Sequence, residues 1–144
     1  HIFSAVNEST WEHMKLLVLT TIIVIMFQYV FLKANIQIYL FNSIFVLYFV
    51  ETISIPLLYE LLCLIFKRVH FAVTIIIFYI AISLGIYSQY LILTKNIVFL
   101  NEQIAFILIV IFTILFGIFT YFPPKIFLFR DPSTGGYGDT GRHR

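Results

Sequence analysis

The sequence predicts an all-α protein, a polytopic bundle of transmembrane helices, and two observations carry this prediction. The first is composition, since 61% of the 144 residues are hydrophobic and only 11% are charged, whereas soluble domains carry about 25% charged residues. A soluble fold of this length cannot bury so much apolar surface. The second is a set of four apolar runs, each close to or above the roughly 20 residues that a membrane-spanning helix needs. A soluble enzyme, a nucleic-acid-binding protein and a disordered chain are therefore excluded.

The first span is predicted over residues 10–33. Ser9 and Glu12 have the spacing of a capping box, in which Ser9 is the N-cap and the Glu12 side chain reaches back to it. The apolar run that follows is interrupted by Gln28 and by scattered threonine and tyrosine residues, and Lys33 closes it. The segment is long enough to cross a bilayer.

The second span is predicted over residues 36–59, within an apolar run that continues to Phe66. Pro56 lies inside this run, and proline removes a backbone donor and clashes with the preceding turn. We therefore expect a helix that bends near Pro56 and finishes at about Tyr59, followed by a short interfacial stretch.

The third and fourth spans are predicted over residues 69–93 and 104–122. Tyrosines near the end of the third suit a membrane interface, and Pro123 with Pro124 closes the fourth. Residues 1–122 therefore form the predicted transmembrane bundle. In residues 123–144 glycine, proline, serine and charged residues become frequent in place of isoleucine and phenylalanine. This composition predicts a polar cytoplasmic tail.

Four spans place both ends of the chain on one side of the membrane. That side carries Lys15, Lys67, Arg68, Lys125, Arg130, Arg142 and Arg144, against Lys33 and Lys95 on the other. Such an excess of positive charge marks the cytoplasmic side, so the C-terminus is predicted to be cytoplasmic.

The cytoplasmic side also collects most of the polar side chains, and we predict a ligand-binding cluster there. Its candidate residues are Asn7, Glu8, Trp11, Glu12, His13, His70, Arg130 and Asp131. Glu8, Glu12, His13 and His70 are candidate metal ligands because carboxylates and imidazoles bind zinc, iron and manganese. Their spacing does not match helical motifs such as H-E-x-x-H. In the alternative interpretation Glu12 caps the helix, Trp11 lies at the lipid headgroups, and His13 and Lys15 contact phosphates.

Glu51 is the outlier, because it lies near the middle of the second span. A carboxylate at bilayer depth is costly, so we expect it to face the bundle interior, to be protonated or to have a partner. Gln28 and Gln89 are the candidate intramembrane partners, with Asn42 as another. The side chain either makes a structural hydrogen bond between helices or belongs to a proton or ion relay.

Two segments resemble the motifs of a known family. Residues 5–16 are similar to a V-N-E-S-x-W-E-H-x-K-L element, and residues 122–138 to a P-P-x-x-P-L-F-x-D-P-x-T-G-x-Y-G ending. Ile126 and Phe127 stand where that pattern tends to have proline. Both motifs resemble a family of small bacterial integral membrane proteins of unknown function. The resemblance implies the bacterial cytoplasmic membrane and a further hydrophobic helix upstream of His1, and it implies no reaction.

Three functions follow from these residues. The first is a non-enzymatic membrane module whose cytoplasmic cluster binds a lipid headgroup, an ion or a partner protein. The second is a membrane-embedded, metal-assisted hydrolase or transferase that acts on a lipid. The third is a small transporter subunit coupled through Glu51, expected to form an oligomer. The expected partners are the lipid bilayer and either another membrane protein or further copies of the chain, and no nucleic acid.

Overall fold

The described residues form four α-helices and one short 3-10 turn, which confirms the all-α prediction. The computed structural model describes residues 9–32, 39–66, 70–130 and 136–137. The elements are α1 (Thr10–Leu32), α2 (Leu40–Ile65), α3 (Phe71–Lys95), α4 (Glu102–Tyr121) and the turn η1 (Phe127–Phe129). All four α-helices are long and apolar enough to cross a membrane, which indicates a multi-pass membrane protein.

Local polar side chains fix where three of the helices begin. The hydroxyl of Ser9 accepts from the backbone N–H of Glu12 at 3.4 Å, which is the Ser9 half of the predicted capping box. His70 accepts from Ala72 at the start of α3, and Asn101 accepts from the N–H of Gln103 at the start of α4. These side chains satisfy backbone donors that have no partner inside the helix.

α2 is longer than the sequence predicts. It continues through Pro56 to Ile65, six residues beyond the expected end at Tyr59. Proline costs a helix one backbone hydrogen bond and some strain, but a membrane helix tolerates that loss where neighbouring helices pack against it. The extra turns bring Glu60 to the level at which α1 begins.

α2 is the central helix of the bundle. It packs most extensively against α3 and also against α1 and α4. We call the end where α1 and α3 begin the first end, and the end where α2 and α4 begin the second end. The half of α1 nearer the first end is buried, whereas several apolar side chains of its other half are exposed, including Met26, Val30 and Phe31. α1 is therefore packed against the rest of the protein mainly at the first end.

The chain after α4 folds back onto the first end. η1 lies against α1, and Phe129 is 3% exposed although it belongs to the segment predicted as a polar tail. Arg130 forms an isolated antiparallel bridge with Tyr137. The early part of that segment thus contributes an aromatic side chain to the core.

Candidate functional site

A buried ion pair lies at the first end. Glu12 Oε2 is 2.6 Å from Lys15 Nζ, and each side chain is 4% exposed. One turn of α1 separates the two residues, which puts them on the same helix face. Each charge compensates the other where water is largely excluded, so the sequence's prediction of Lys15 at lipid phosphates is wrong.

The neighbouring polar groups are also used within the protein. Thr10 Oγ1 donates to Glu60 Oε1 at 3.0 Å and so joins α1 to the last turns of α2. The Nδ1 atom of His13 lies 2.9 Å from the carbonyl oxygen of Ser9, and its ring stacks near Tyr59 of α2. We call Thr10, Glu12, His13, Lys15 and Glu60 the end cluster.

Trp11 anchors the same turn of α1 in an aromatic core. Its ring stacks between Phe116 and Phe129, with ring centroids 4.4 Å from each, and Phe119 meets it edge-on. Trp11 is 6% exposed, so the interpretation that sets it among lipid headgroups is wrong. Its Nε1 donor is buried without a hydrogen-bond partner. Sequence analysis could not identify the partners because they come from α4 and η1.

The structure brings only some of the predicted ligand-binding residues together. Trp11, Glu12 and His13 share one turn of α1, whereas His70 and Arg130 are exposed at the rim of the first end. Asn7, Glu8 and Asp131 lie outside the described residues. Across residues 9–32, 39–66, 70–130 and 136–137, no group of three or more His, Cys, Asp or Glu side chains could hold a metal ion.

A second polar group lies inside the predicted membrane region around Glu51. Glu51 is 3% exposed, and its Oε2 accepts a 2.5 Å hydrogen bond from Thr21 Oγ1 of α1. Gly85 of α3 faces the same carboxylate: a Cβ atom there would lie 2.5 Å from Glu51 Cγ and 3.0 Å from Oε1. Glu51 therefore occupies space that only a glycine on α3 leaves open.

Two residues of α2 that are close to Glu51 in the sequence have buried hydroxyls. They are Tyr48 and Thr52. Tyr48 is 1% exposed and lies one turn before Glu51, and its hydroxyl hydrogen-bonds with the Thr113 side chain of α4. Pro56 has no N–H, so it cannot donate to the carbonyl of Thr52 one turn earlier. We call Thr21, Tyr48, Glu51 and Gly85 the Glu51 pocket.

The glutamines that we expected to partner Glu51 instead pair with each other. Gln28 of α1 and Gln89 of α3 exchange two side-chain hydrogen bonds, at 3.0 and 2.8 Å. Two amides are self-complementary because each has a donor and an acceptor. Asn42, the other expected partner, donates to the carbonyl of Leu100 at the second end. Glu51 is left with a hydroxyl as its side-chain hydrogen-bond partner.

Glu102 organises the second end, and the sequence analysis did not identify this role. Its two carboxylate oxygens accept from the backbone N–H groups of Phe41 and Asn42, at 2.7 and 3.0 Å. A carboxylate there satisfies orphan donors and complements the positive end of the α2 dipole. The sequence alone does not predict this cap, because about sixty residues separate Glu102 from the start of the helix that it caps.

Comparison with known proteins gives a family and no activity. A family model described as "Family of unknown function (DUF6512)" matches residues 1–139. No curated protein matches the chain. No solved structure matches it either.

Proposed function

The chain belongs to DUF6512, a family of unknown function, and we propose from its own residues that it is a non-enzymatic membrane module whose first end binds an anionic lipid headgroup. The observation that carries this proposal is that the first end has exposed cations outside the end cluster. Within the end cluster Lys15 is paired with Glu12 and Glu60 accepts from Thr10. Lys125 and Arg130, at the same end, are exposed.

Exposed cations at a membrane surface attract anionic lipids, each contributing about 1 kcal/mol. Lys125 and Arg130 flank η1, which is held in place by the contact between Phe129 and Trp11. The excess of Lys and Arg on this side of the predicted topology favours a cytoplasmic orientation. The cytoplasmic leaflet is where anionic lipids supply a negative surface potential.

The metal-assisted hydrolase has less support than the lipid-binding module. Of its four candidate ligands, Glu12 is paired with Lys15, His13 lies on the Ser9 carbonyl, and His70 caps α3 at the exposed rim. These roles are structural.

A lipid-retention experiment tests the proposal. The purified chain in detergent is mixed with phosphatidylglycerol and phosphatidylcholine of identical acyl chains, and native mass spectrometry counts the retained lipids. We expect a preference for phosphatidylglycerol that falls about fivefold for each of Lys125→Gln and Arg130→Gln, from the loss of about 1 kcal/mol per cation. Lys95→Gln, which removes an exposed cation at the second end, is the matched control. Equal retention of the two lipids by the parent chain would contradict the proposal.

One observation favours a second candidate, ion coupling through Glu51. Among the described residues Glu51 has no cationic partner, and the recorded ion pair is that of Glu12 and Lys15. Buried ionisable groups in membrane helices commonly mark ion or proton pathways. Cation flux into liposomes that Glu51→Gln eliminates would support coupling, and flux unchanged by Glu51→Gln would refute it.

A further inference from the structure

The outward face of α3 differs chemically from that of α4. α3 packs mainly against α2, and three tyrosines on its opposite face, Tyr79, Tyr87 and Tyr90, are more than half exposed. On α4, every exposed side chain from residue 104 to residue 118 is isoleucine, valine or phenylalanine. Hydrocarbon side chains suit contact with acyl chains, whereas a hydroxyl in an apolar medium is costly without a partner. Contact with lipid alone therefore explains the face of α4 but not that of α3.

Two of these tyrosines lie deep in the predicted membrane region. Ser83 is the central residue of α3 (Phe71–Lys95), and Tyr79 and Tyr87 are each four residues from it, about 6 Å along the helix axis. Both lie well inside a hydrocarbon core that is about 30 Å thick. Helix side chains point back toward the N-terminus, which directs Tyr87 toward the bilayer centre and away from the second end. Neither hydroxyl makes a hydrogen bond within the described part of the chain.

We propose that this face of α3 is the interface of a homodimer, in which the same face of a second copy covers it. The residues concerned repeat at the three- and four-residue spacing of a helix–helix contact. They are Ile76, Tyr79, Ile80, Ser83, Leu84 and Tyr87, and we call them the α3 stripe. They line an open groove of about 470 Å³. The proposal goes beyond lipid binding at the first end and does not depend on it.

The chemistry of the α3 stripe favours a second copy as the partner. Copies that share one membrane orientation are related by an axis along the membrane normal, so a two-fold interface brings the same residues together at the same depth. The Ser83 hydroxyl donates to the carbonyl of Tyr79 in its own helix at 2.7 Å, and its oxygen can still accept. A tyrosine hydroxyl supplies the donor, and such hydrogen bonds between helices stabilise association in membranes. The α3 stripe has no charged residue, so two copies do not repel each other.

Ser83 also permits a close approach of the two helices. Its side chain is the smallest of the α3 stripe, and Tyr79 and Tyr87 border the groove one turn before and one turn after it. Small residues at the centre of a membrane interface allow two helix backbones to approach each other. A large side chain at this position would fill the groove and hold the two copies apart.

Disulfide cross-linking in native membranes identifies the face that pairs. Cys63, the one cysteine of the sequence, is first replaced by serine, and Ser83→Cys is then introduced and the membranes are oxidised. We expect a cross-linked dimer, because a two-fold axis beside the centre of α3 brings both copies of this position together. Ile114→Cys, at an exposed position of α4, is the matched control and should remain uncross-linked. A Ser83→Cys chain that forms no adduct, or one with a different protein, would overturn the proposal.

Energy transfer between labelled copies in phosphatidylcholine vesicles measures the dissociation constant of the dimer. Ser83→Leu should leave the chain monomeric at protein-to-lipid ratios at which the parent is dimeric. Gly117→Leu adds bulk to α4, where a Cβ meets no atom within 4 Å, and should dimerise as the parent does. Tyr87→Phe should raise the dissociation constant about tenfold, because a symmetric interface loses the hydroxyl twice. Tyr121→Phe, at an exposed tyrosine at the end of α4, should have no effect.

The variants separate loss of the interface from loss of the fold. Circular dichroism checks that Ser83→Leu keeps the helix content of the parent, and Tyr87→Phe tests the same interface without added bulk. A monomeric parent chain, a dimer that survives Ser83→Leu, or an unchanged dissociation constant for Tyr87→Phe would each overturn the proposal. Equal retention of phosphatidylglycerol and phosphatidylcholine would remove lipid binding at the first end and leave the dimer standing, because the two surfaces are separate.

Discussion

Glu12 and Glu51 are buried to the same extent, each 3% exposed, yet their surroundings are opposite. Glu12 lies at the first end with Lys15 as a cationic partner at 2.6 Å. Glu51 lies deeper in the bundle, between a threonine hydroxyl on α1 and a glycine on α3. The protein thus neutralises one carboxylate with its own side chain and provides only neutral groups for the other.

This difference assigns a structural role to the end cluster and makes the Glu51 pocket the candidate functional region of the bundle. The end cluster pairs Glu12 with Lys15 and caps the start of α1, as expected of a region that fixes the position of α1. The Glu51 pocket has a carboxylate whose side-chain hydrogen-bond partner is the hydroxyl of Thr21. A carboxylate without a counter-charge is costly at bilayer depth, so Glu51 is the less compensated of the two residues.

Removing the cation of the end cluster should have the largest effect. Lys15→Met removes the cation that lies 2.6 Å from the buried Glu12 carboxylate, and breaking a buried pair in this way costs about 3–5 kcal/mol. The free energy of unfolding in mixed micelles measures the loss. Lys125→Met, at an exposed lysine, should change stability by less than about 0.5 kcal/mol. Similar effects of the two substitutions would refute a structural role for the ion pair.

Filling the space that faces Glu51 should have an intermediate effect. Gly85→Ala forces the carboxylate aside, and overpacking of this kind costs about 1–3 kcal/mol. Gly117→Ala, which meets open space, should be neutral or slightly stabilising because alanine favours helix. The difference between their unfolding free energies is the quantity to measure. If both variants were equally stable, the close contact between Gly85 and Glu51 would not exist.

Removing the cap of α1 should have the smallest effect. Ser9→Ala deletes the hydroxyl that accepts from Glu12 N–H, and loss of such a cap costs about 1 kcal/mol. Ser83→Ala on α3, an exposed serine whose hydroxyl bonds within its own helix, is the control and should be nearly neutral. Thermal unfolding followed by circular dichroism detects the difference. An unchanged midpoint of thermal unfolding for Ser9→Ala would mean that the Ser9 cap does not contribute to the stability of the first end.

The sequence predicted the helices well because their signal is local. Apolar length fixes four spans, and Ser9 marks the start of the first one through a contact three residues away. The end of α2 was predicted at Tyr59 because Pro56 breaks isolated helices. The helix continues to Ile65 since packing against its neighbours compensates for one missing hydrogen bond.

The polar contacts were harder to predict because they join distant parts of the chain. Gln28 was expected beside Glu51 but lies 61 residues from its actual partner, Gln89. Lys15 reads as a charge that flanks a membrane span, and its burial depends on the residues of other helices around it. Glu51 could be identified as a candidate from its position near the middle of a predicted span, whereas its contacts with Thr21 and Gly85 could be identified only from the structure.

The most direct test of the contrast is to neutralise each carboxylate in turn, with Glu12→Gln and Glu51→Gln, and to compare the unfolding free energies of the two variants with that of the parent chain. The account predicts that Glu12→Gln is destabilising by about 3 kcal/mol, because it breaks the buried ion pair with Lys15. Glu51→Gln should stay within about 1 kcal/mol of the parent or exceed its stability, because it removes an uncompensated charge and can still accept from Thr21. An equal loss of stability in the two variants would contradict the account.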